Sequence, residues 1–417
     1  MKPRLLMLVP TATYRAEAFV RAAQRLPIQL SIATEVPSSL SHLHPVDLPA
    51  FDFGRPYDVM AAARKLGAEA RIDGVVAVDD QSVLAASLVA NTLGLPHHAP
   101  DAVRAALNKY FARERMRAGG VDVPRFRLVA LDAEPRKAAG EVARDTGYPA
   151  VLKPLAMAAS RGVVRVNSAQ EFVPAFERLT ALVRATPSMH DEIANRHVIA
   201  ESYIPGDEVA VEGIVDRGVF HMFAIFDKVD PLDGPFFPET MYVTPSRLAP
   251  DIQARIEQVT RNTLLAVGLD HGPVHVELRI DGSRVVPIEA HARSIGGYCS
   301  KVLRFEGGRS LEDMIILQSL GMLGAIPPRE DAAAGVWMMQ APRAGRFVEM
   351  RGVSAAARVP DIDEVIVSAR PTQMLTPLPD GFLYLGFIFA RANTPHDVER
   401  ALRSAFDRLE PVFEDAA

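Results

Sequence analysis

Pro273-Val274-His275-Val276-Glu277-Leu278-Arg279-Ile280-Asp281-Gly282-Ser283-Arg284-Val285-Val286-Pro287-Ile288-Glu289-Ala290-His291-Ala292-Arg293 decides the fold of this chain. Val274, Val276, Leu278 and Ile280 alternate with His275, Glu277 and Arg279, which predicts a strand with one apolar and one polar face. Asp281-Gly282 is a turn signal, and the chain returns through Val285, Val286 and Ile288 to Glu289, His291 and Arg293, which share a face by the same period. Two registers are open. A two-residue Asp281-Gly282 turn pairs Glu277 with Val286 and sends Glu289 to the opposite face. A three-residue loop from Asp281 to Ser283, or one bulge elsewhere, pairs Glu277 with Pro287 and His275 with Glu289, so that both carboxylates point the same way. Two carboxylates on one face, with Arg293 beyond them and no His/Cys ligand set, suit magnesium, a hard cation that shares its shell with phosphate oxygens. The plain alternative is a solvated polar hairpin face.

Around this hairpin lies a chain of 417 residues, 48% hydrophobic and 23% charged, with 27 Gly and 32 Pro. That is the composition of an ordinary globular protein of two or three domains, and it excludes disordered and collagen-like classes. A net charge of −5 without Lys/Arg runs argues against a broad grip on nucleic acid, so an anionic ligand must be held locally. The single cysteine, Cys299, can form neither an intrachain disulfide nor a Cys-based zinc site, and is expected to be a small buried thiol in a reducing compartment. The apolar run Leu5 to Val9 is too short for a signal peptide, and no stretch approaches the roughly 20 residues that span a bilayer. The expectation is a cytoplasmic protein acting on small molecules, with neither nucleic acid nor membrane as partner; oligomeric state is left open, a homodimer included.

Outward from the hairpin, strands and helices alternate over residues 1–100: strands at Leu5 to Val9, Ile28 to Thr34 and Gly74 to Val78, helices at Arg15 to Leu26, Asp58 to Leu66 and Gln81 to Leu93. This predicts a parallel sheet covered on both faces, an α/β domain. No G-x-G-x-x-G follows Val9, which disfavours a Rossmann oxidoreductase, and no P-loop occurs. A helical linker over 101–124 leads to an α+β unit over 125–202, small enough to be a lid, whose second helix opens on a capping box of Ser168 and Glu171. Residues 203–417 carry long strands from Val209 to Phe226, a helix from Pro250 to Val267, the glutamate hairpin, and a closing α/β subdomain from about 335.

Lysine is scarce, at 2, 65, 109, 137, 153, 228 and 301 alone, so a lysine beside a motif is informative. Tyr148-Pro149-Ala150-Val151-Leu152-Lys153-Pro154 ends an apolar strand on one of them. The small-residue loop Ala158-Ala159-Ser160-Arg161-Gly162-Val163 follows, able to approach phosphates with its amides. Glu201-Ser202-Tyr203-Ile204-Pro205-Gly206-Asp207-Glu208 offers two carboxylates and a stretch of exposed backbone, as an adenosine requires. Leu93-Gly94-Leu95-Pro96, Asn108-Lys109 and Ala118-Gly119-Gly120-Val121-Asp122-Val123-Pro124 precede these in order.

In order and spacing these segments resemble the ATP-grasp superfamily over nearly the whole chain. The resemblance implies an N-terminal parallel-sheet domain, a central lid and a C-terminal catalytic domain. It implies that Lys109 and Lys153 contact ATP phosphates, that Ser160 and Gly162 belong to the lid loop over them, that Glu201 accepts from the adenine amino group with backbone at Tyr203 and Ile204, and that Glu208 holds the ribose. Glu277 and Glu289 would ligate Mg2+, with Mn2+ as an acceptable substitute, and Arg293 would stabilise the reacting phosphoryl group, with backbone N–H groups near Gly296-Gly297 steadying a tetrahedral oxyanion. Gly162 stands alone where many relatives have several glycines, and His291 stands where many have Asn.

Within the superfamily the chain is similar to the L-amino-acid ligases, on Gly234-Pro235-Phe236-Phe237-Pro238-Glu239-Thr240, on Arg293-Ser294-Ile295-Gly296-Gly297 and on the segment from Val336. That likeness implies an ADP-forming reaction in which an amino-acid carboxylate becomes an acyl phosphate and is captured by the amine of a second amino acid. Glu239 would meet an ammonium and Arg293 a substrate carboxylate. Another ATP-grasp acyl-phosphate ligase or carboxylase is the alternative, although Ser294-Ile295-Gly296-Gly297 replaces the polar, His-containing segment of the carboxylases. A non-catalytic nucleotide-binding module is disfavoured by the presence of Glu277, Glu289 and Arg293 together. The pairs His97-His98 and His42/His44 have no acid or Cys at ligand spacing and are expected at turns or the surface.

Overall fold

Leu5, Leu6, Met7 and Leu8 are all fully buried because Arg4–Leu8 is the middle strand of three, flanked in parallel by Gln29–Ala33 and Gly74–Ala77. The computed structural model describes all residues except 1, 12, 36–49, 189–190, 382 and 415–417; His42 and His44 fall outside the described residues. The helix Asp80–Leu93 starts on Asp79, whose carboxylate accepts from the Gln81 N–H at 3.0 Å, and stops at Gly94 in the left-handed region, φ 69°. Ser82 to Ala90 are buried without a break, since this helix is sandwiched between the small sheet and the rest of the protein. The start of this helix places Asp79 and Asp80 on the cavity between this domain, the lid loop and the central sheet.

Two helices, Pro100–Leu107 and Lys109–Ala118, form the linker. Asn108 separates them and caps the second by accepting from the Tyr110 and Phe111 N–H groups, which sets Lys109 at the first position of its helix. The unit that follows is a four-stranded antiparallel sheet in the order Phe126–Ala130, His197–Ser202, Ala150–Pro154, Val164–Val166, with helices Pro135–Asp145 and Ala169–Ala185 packed on it through Phe172, Phe176 and Val142. Its expected capping box is only half formed. The Ser168 hydroxyl accepts from the Glu171 N–H, but the Glu171 carboxylate reaches back to the N–H of Asn167 instead of Ser168. The complete reciprocal box is made by Ser310 and Asp313 on the helix Leu311–Ser319.

An eight-stranded antiparallel sheet carries the rest, in the order Arg284–His291, Gly272–Asp281, Asp207–Asp216, Val219–Lys228, Met241–Thr244, Ala333–Gln340, Tyr384–Ala392, Ile362–Val367. Strands of the closing segment therefore extend the central sheet; only Met374–Leu375, Gly345–Arg351 and Glu410–Glu414 form a small sheet of their own. The four-residue strand Met241–Thr244, buried throughout and too short to show a period, joins the two halves. One hydrophobic core runs from Leu6 of the first sheet and Val83 of the helix Asp80–Leu93 to Val274, Val276 and Leu278 of the hairpin.

The hairpin follows neither expected register. Asp281 pairs with Arg284 across Gly282-Ser283, and Leu278 pairs with Pro287. A bulge at Ile288 then shifts the ladder, so that Glu277 lies directly opposite Glu289 and His275 opposite His291. Two local causes favour a bulge there: Pro287 has no N–H to give a regular ladder, and the Ile288 carbonyl accepts from the buried Arg113 guanidinium. Both carboxylates face the same way, by closer pairing than expected.

Candidate functional site

Glu277 and Glu289 each face one lysine and one histidine. Glu277 lies 3.2 Å from Lys228 Nζ and 3.3 Å from His275 Nε2; Glu289 lies 3.4 Å from Lys109 Nζ and 3.0 Å from His291 Nε2. Burial pushes both carboxyls up, but Lys228 and His275 around one and Lys109 and His291 around the other hold them below the usual carboxylate range. Both remain ionised at neutral pH. Among the described residues no three acidic, His or Cys groups converge to hold a metal alone. Two ionised carboxylates are nevertheless a fitting donor set for a hard cation that takes its remaining ligands from water and phosphate.

Arg293 extends this cluster into the N-terminal domain. Its Nε and Nη2 donate to Asp80 Oδ2 at 2.9 and 2.8 Å, and its Nη1 to the Ser294 carbonyl at 3.1 Å. Burial pushes Asp80 up, but Arg293 holds it well below the usual range. His291 stands between Asp80 and Glu289; these two acids outweigh the opposing effects of burial and of Arg293 and push the imidazole up. Gly297 departs from its expected role. Its N–H donates to the Tyr14 hydroxyl at 2.7 Å, so it is already partnered, and its positive φ of 58° beside Met338 identifies it as a packing glycine: an added Cβ would lie 2.3 Å from the Met338 sulfur.

Of the residues expected around the nucleoside, Lys153, Glu201, Ile204 and Glu208 are buried and Tyr203 is half-buried, and all are paired with the protein itself. Glu201, 2% exposed, has Arg113 Nε at 2.6 Å and Lys153 Nζ at 2.8 Å, so each carboxylate oxygen lies against a cation of the chain itself. Burial raises its carboxyl, and Arg113 and Lys153 together bring it below the ordinary value. The Tyr203 N–H donates to the Pro149 carbonyl, and the Ile204 carbonyl accepts from Arg279 Nε at 3.1 Å. Glu208 is held by Lys228 Nζ at 2.5 Å and Arg279 Nη1 at 3.1 Å, a buried triad instead of a free ribose acceptor. Lys109, too, uses its ammonium on the Met157 carbonyl, 2.7 Å away, as well as on Glu289.

A cavity of about 830 Å³ collects what remains. Its walls come from the N-terminal domain (Tyr14, Arg15, Asp79, Asp80), the lid loop (Met157 to Arg161) and the central sheet (Glu239, Glu277, Glu289, Arg293). Ser160 lines it, at φ 55°, next to Ala159 with the same positive φ, a strained pair for non-glycine residues. Glu239 lines it too: its Oε2 accepts from the Tyr384 hydroxyl at 2.9 Å, and burial pushes its carboxyl up against the pull of Lys228. Lys153, Glu201, Tyr203, Ile204 and Glu208 do not line it.

Gly162, at φ 74°, packs against Leu179 and Leu182 and donates its N–H to the Pro379 carbonyl at 2.8 Å, so its amide tethers the lid loop to the closing segment. Phe236 sits under Arg178 of the lid helix and lines a separate cavity with it, away from the glutamates. Sequence reasoning passed over Asp80, Arg113, Lys228, Arg279 and Tyr384. Only Lys228 left a usable signal, as a scarce lysine at the end of a long strand.

A family profile for the ATP-grasp domain matches residues 146–302, from the lid strands through the glutamate hairpin, and one for the L-amino acid ligase C-terminal domain 2 matches residues 337–414. The chain belongs to the ATP-grasp ligases. An uncharacterised protein of Sinorhizobium fredii is 24% identical over 414 residues, 98% of this chain and 82% of that protein. Alanine–anticapsin ligase of Bacillus subtilis is 24% identical over 238 residues, covering 54% of this ATP-grasp ligase and 49% of the other; the chain thus spans about half of that relative's length. The crystal structure of an L-amino acid ligase from Bacillus licheniformis matches 99% of both chains with a TM-score of 0.77 at 22% identity, a likeness of fold. No described helix of this ATP-grasp ligase is long and apolar enough to cross a membrane.

Proposed function

We propose that the protein activates the carboxylate of one amino acid with ATP and joins it to the amine of a second, releasing ADP and phosphate. The observation that carries this reading is the direct cross-strand pairing of Glu277 and Glu289 in the wall of a cavity bordered by all three parts of the chain. In the reaction a carboxylate oxygen attacks the γ-phosphorus of ATP and the bond to ADP breaks. The amine then attacks the acyl carbon, the acyl–phosphate bond breaks, and the amine loses a proton. Such a transfer asks the protein for alignment and charge neutralisation more than for covalent help.

Glu277 and Glu289 would hold Mg2+, which when bound neutralises phosphate charge. Lys109 stands beside Glu289 as a second source of positive charge at that end. Asp80 grips Arg293 through two nitrogens and so fixes the guanidinium plane next to the reacting groups. Glu239, held by Tyr384, offers a carboxylate to the ammonium of a substrate amino acid. The lid loop keeps water from the acyl phosphate, supported by the Gly162–Pro379 hydrogen bond and by the Arg178–Asp380 ion pair at 2.5 Å. Lys153 lies with Glu201 at the lid strand, where a phosphate would compete with that carboxylate for its ammonium.

The test is ADP and phosphate release from ATP and Mg2+, scanned over single amino acids and all pairs, with mass spectrometry of the mixtures. Release that requires two amino acids, with a dipeptide mass in the product, is the expected result. ATP binding without release across the whole panel would overturn the amino-acid reading.

A further inference from the structure

Matching the cations around the main cavity against its carboxylates leaves one buried cation over. Lys109 has Glu289, Lys228 has Glu208 and Glu277, and Arg293 has Asp80. Arg104 is half-exposed on the cavity rim near Asp101. Arg15, just ahead of the helix Ala16–Arg25, also lines the cavity and is only 9% exposed, yet among the described residues it makes no ion pair. Its one side-chain partner there is the Ser294 hydroxyl, 2.5 Å from Nη2. Asp79 and the buried Glu212 feel its charge without touching it.

A guanidinium withdrawn from water without a carboxylate partner is costly unless an anion completes it. The reaction proposed above supplies such an anion. It consumes the carboxylate of one amino acid, while the amino acid that contributes the amine keeps its own carboxylate, ionised, throughout. Arg293 is poorly placed to take that charge, because doing so would strip Asp80 of the partner to which it is doubly bonded. We propose that Arg15, with Ser294 beside it, seats the carboxylate of the amine-side substrate. Ser294 immediately follows Arg293, so the seat adjoins the segment that leaves the glutamate hairpin, and the N-terminal domain thereby takes part in choosing the substrate. The inference rests on the ligase reading for the identity of its ligand, although the anion seat itself does not need turnover.

Isothermal titration with amino acids, their carboxamides and simple carboxylates such as lactate and propionate, in the presence of Mg2+ and a non-hydrolysable ATP analogue, tests it on the wild type, Arg15→Met and Arg15→Lys. The expected result is that at least one carboxylate binds the wild type about tenfold or more tightly than its carboxamide, that Arg15→Met abolishes this preference, and that Arg15→Lys keeps part of it. A preference unchanged in Arg15→Met, or absent from the wild type, overturns the seat. Should Arg15→Met fail to fold, an unchanged preference in Arg15→Lys overturns it equally, because a lysine cannot reproduce a forked contact to a carboxylate. ADP release measured in parallel separates the two claims: an Arg15-dependent carboxylate preference without ADP release for any amino-acid pair upholds the seat and sinks the dipeptide reaction.

Discussion

Replacing Lys228 by methionine removes the cation that bridges Glu208 and Glu277. The lysine side chain is 4% exposed, its ammonium lies 2.5 Å from Glu208 and 3.2 Å from Glu277, and Met fills much the same volume without the charge. Glu208 retains Arg279 at 3.1 Å, whereas Glu277 is left with His275 at 3.3 Å, so Glu277 bears most of the loss. Removing one partner of a buried ion pair costs about 3–5 kcal/mol. Its pH dependence has a definite sign. Burial raises the Glu277 carboxyl and Lys228 lowers it below its ordinary 4.5, so in the wild type this contribution is present above about pH 4.5 and is lost as pH falls through the lowered value. Without Lys228, burial prevails and the carboxyl protonates more readily, so the variant's deficit is largest at neutral pH and shrinks on acidification. Urea unfolding at about pH 7 and about pH 4.5 measures both. The double variant Lys228→Met/Glu277→Gln is expected to recover at least half of the deficit at neutral pH. A deficit under about 1 kcal/mol, one that is equal at both pH values, or a double variant less stable than the single would each refute the charge-balance account.

Glu277→Gln and Glu289→Gln are each expected to lower ATP turnover by about 100-fold or more with an unchanged circular-dichroism spectrum; near-normal turnover in either would refute the magnesium assignment. Lys153→Ala should weaken ATP binding, measured by titration, while Arg113 continues to hold Glu201; unaltered ATP affinity would place the phosphate grip elsewhere. For Glu239→Ala the KM of one amino acid should rise about tenfold with the KM for ATP spared, and an equal rise in all three would make Glu239 a structural residue.

The strands and helices of the first domain, the lid and the glutamate hairpin were legible because each carries its own period and its own stops, such as Asp79 and Gly94 at the two ends of one helix. The family was legible for a similar reason: Lys109, Lys153, Glu201, Glu277, Glu289 and Arg293 recur in a fixed order along the chain. Contacts between segments far apart in sequence were not. Asp80 and Arg293 are 213 residues apart, and nothing local to Asp80 distinguishes it from a helix-capping acid. Lys228 was visible as a rarity, but its choice between Glu208 and Glu277 depends on three neighbouring strands coming into register. Glu201 and Glu208 read as exposed linker acids, since burial beside Arg113 and Arg279 is a property of packing alone.

By itself, then, the sequence determined which segments are strands and helices, which family they compose, and that two glutamates and an arginine lie on one returning hairpin, because periodicity and turn chemistry act over a few residues. Tertiary structure decided the rest. The bulge at Ile288 set Glu277 against Glu289, the ion pairs decided which charges are already satisfied, and the meeting of the N-terminal domain with the hairpin left Arg15 as the buried cation without a carboxylate among the described residues. Charge balance in a buried site is a sum over neighbours brought together from the whole chain, and only the folded arrangement fixes that sum.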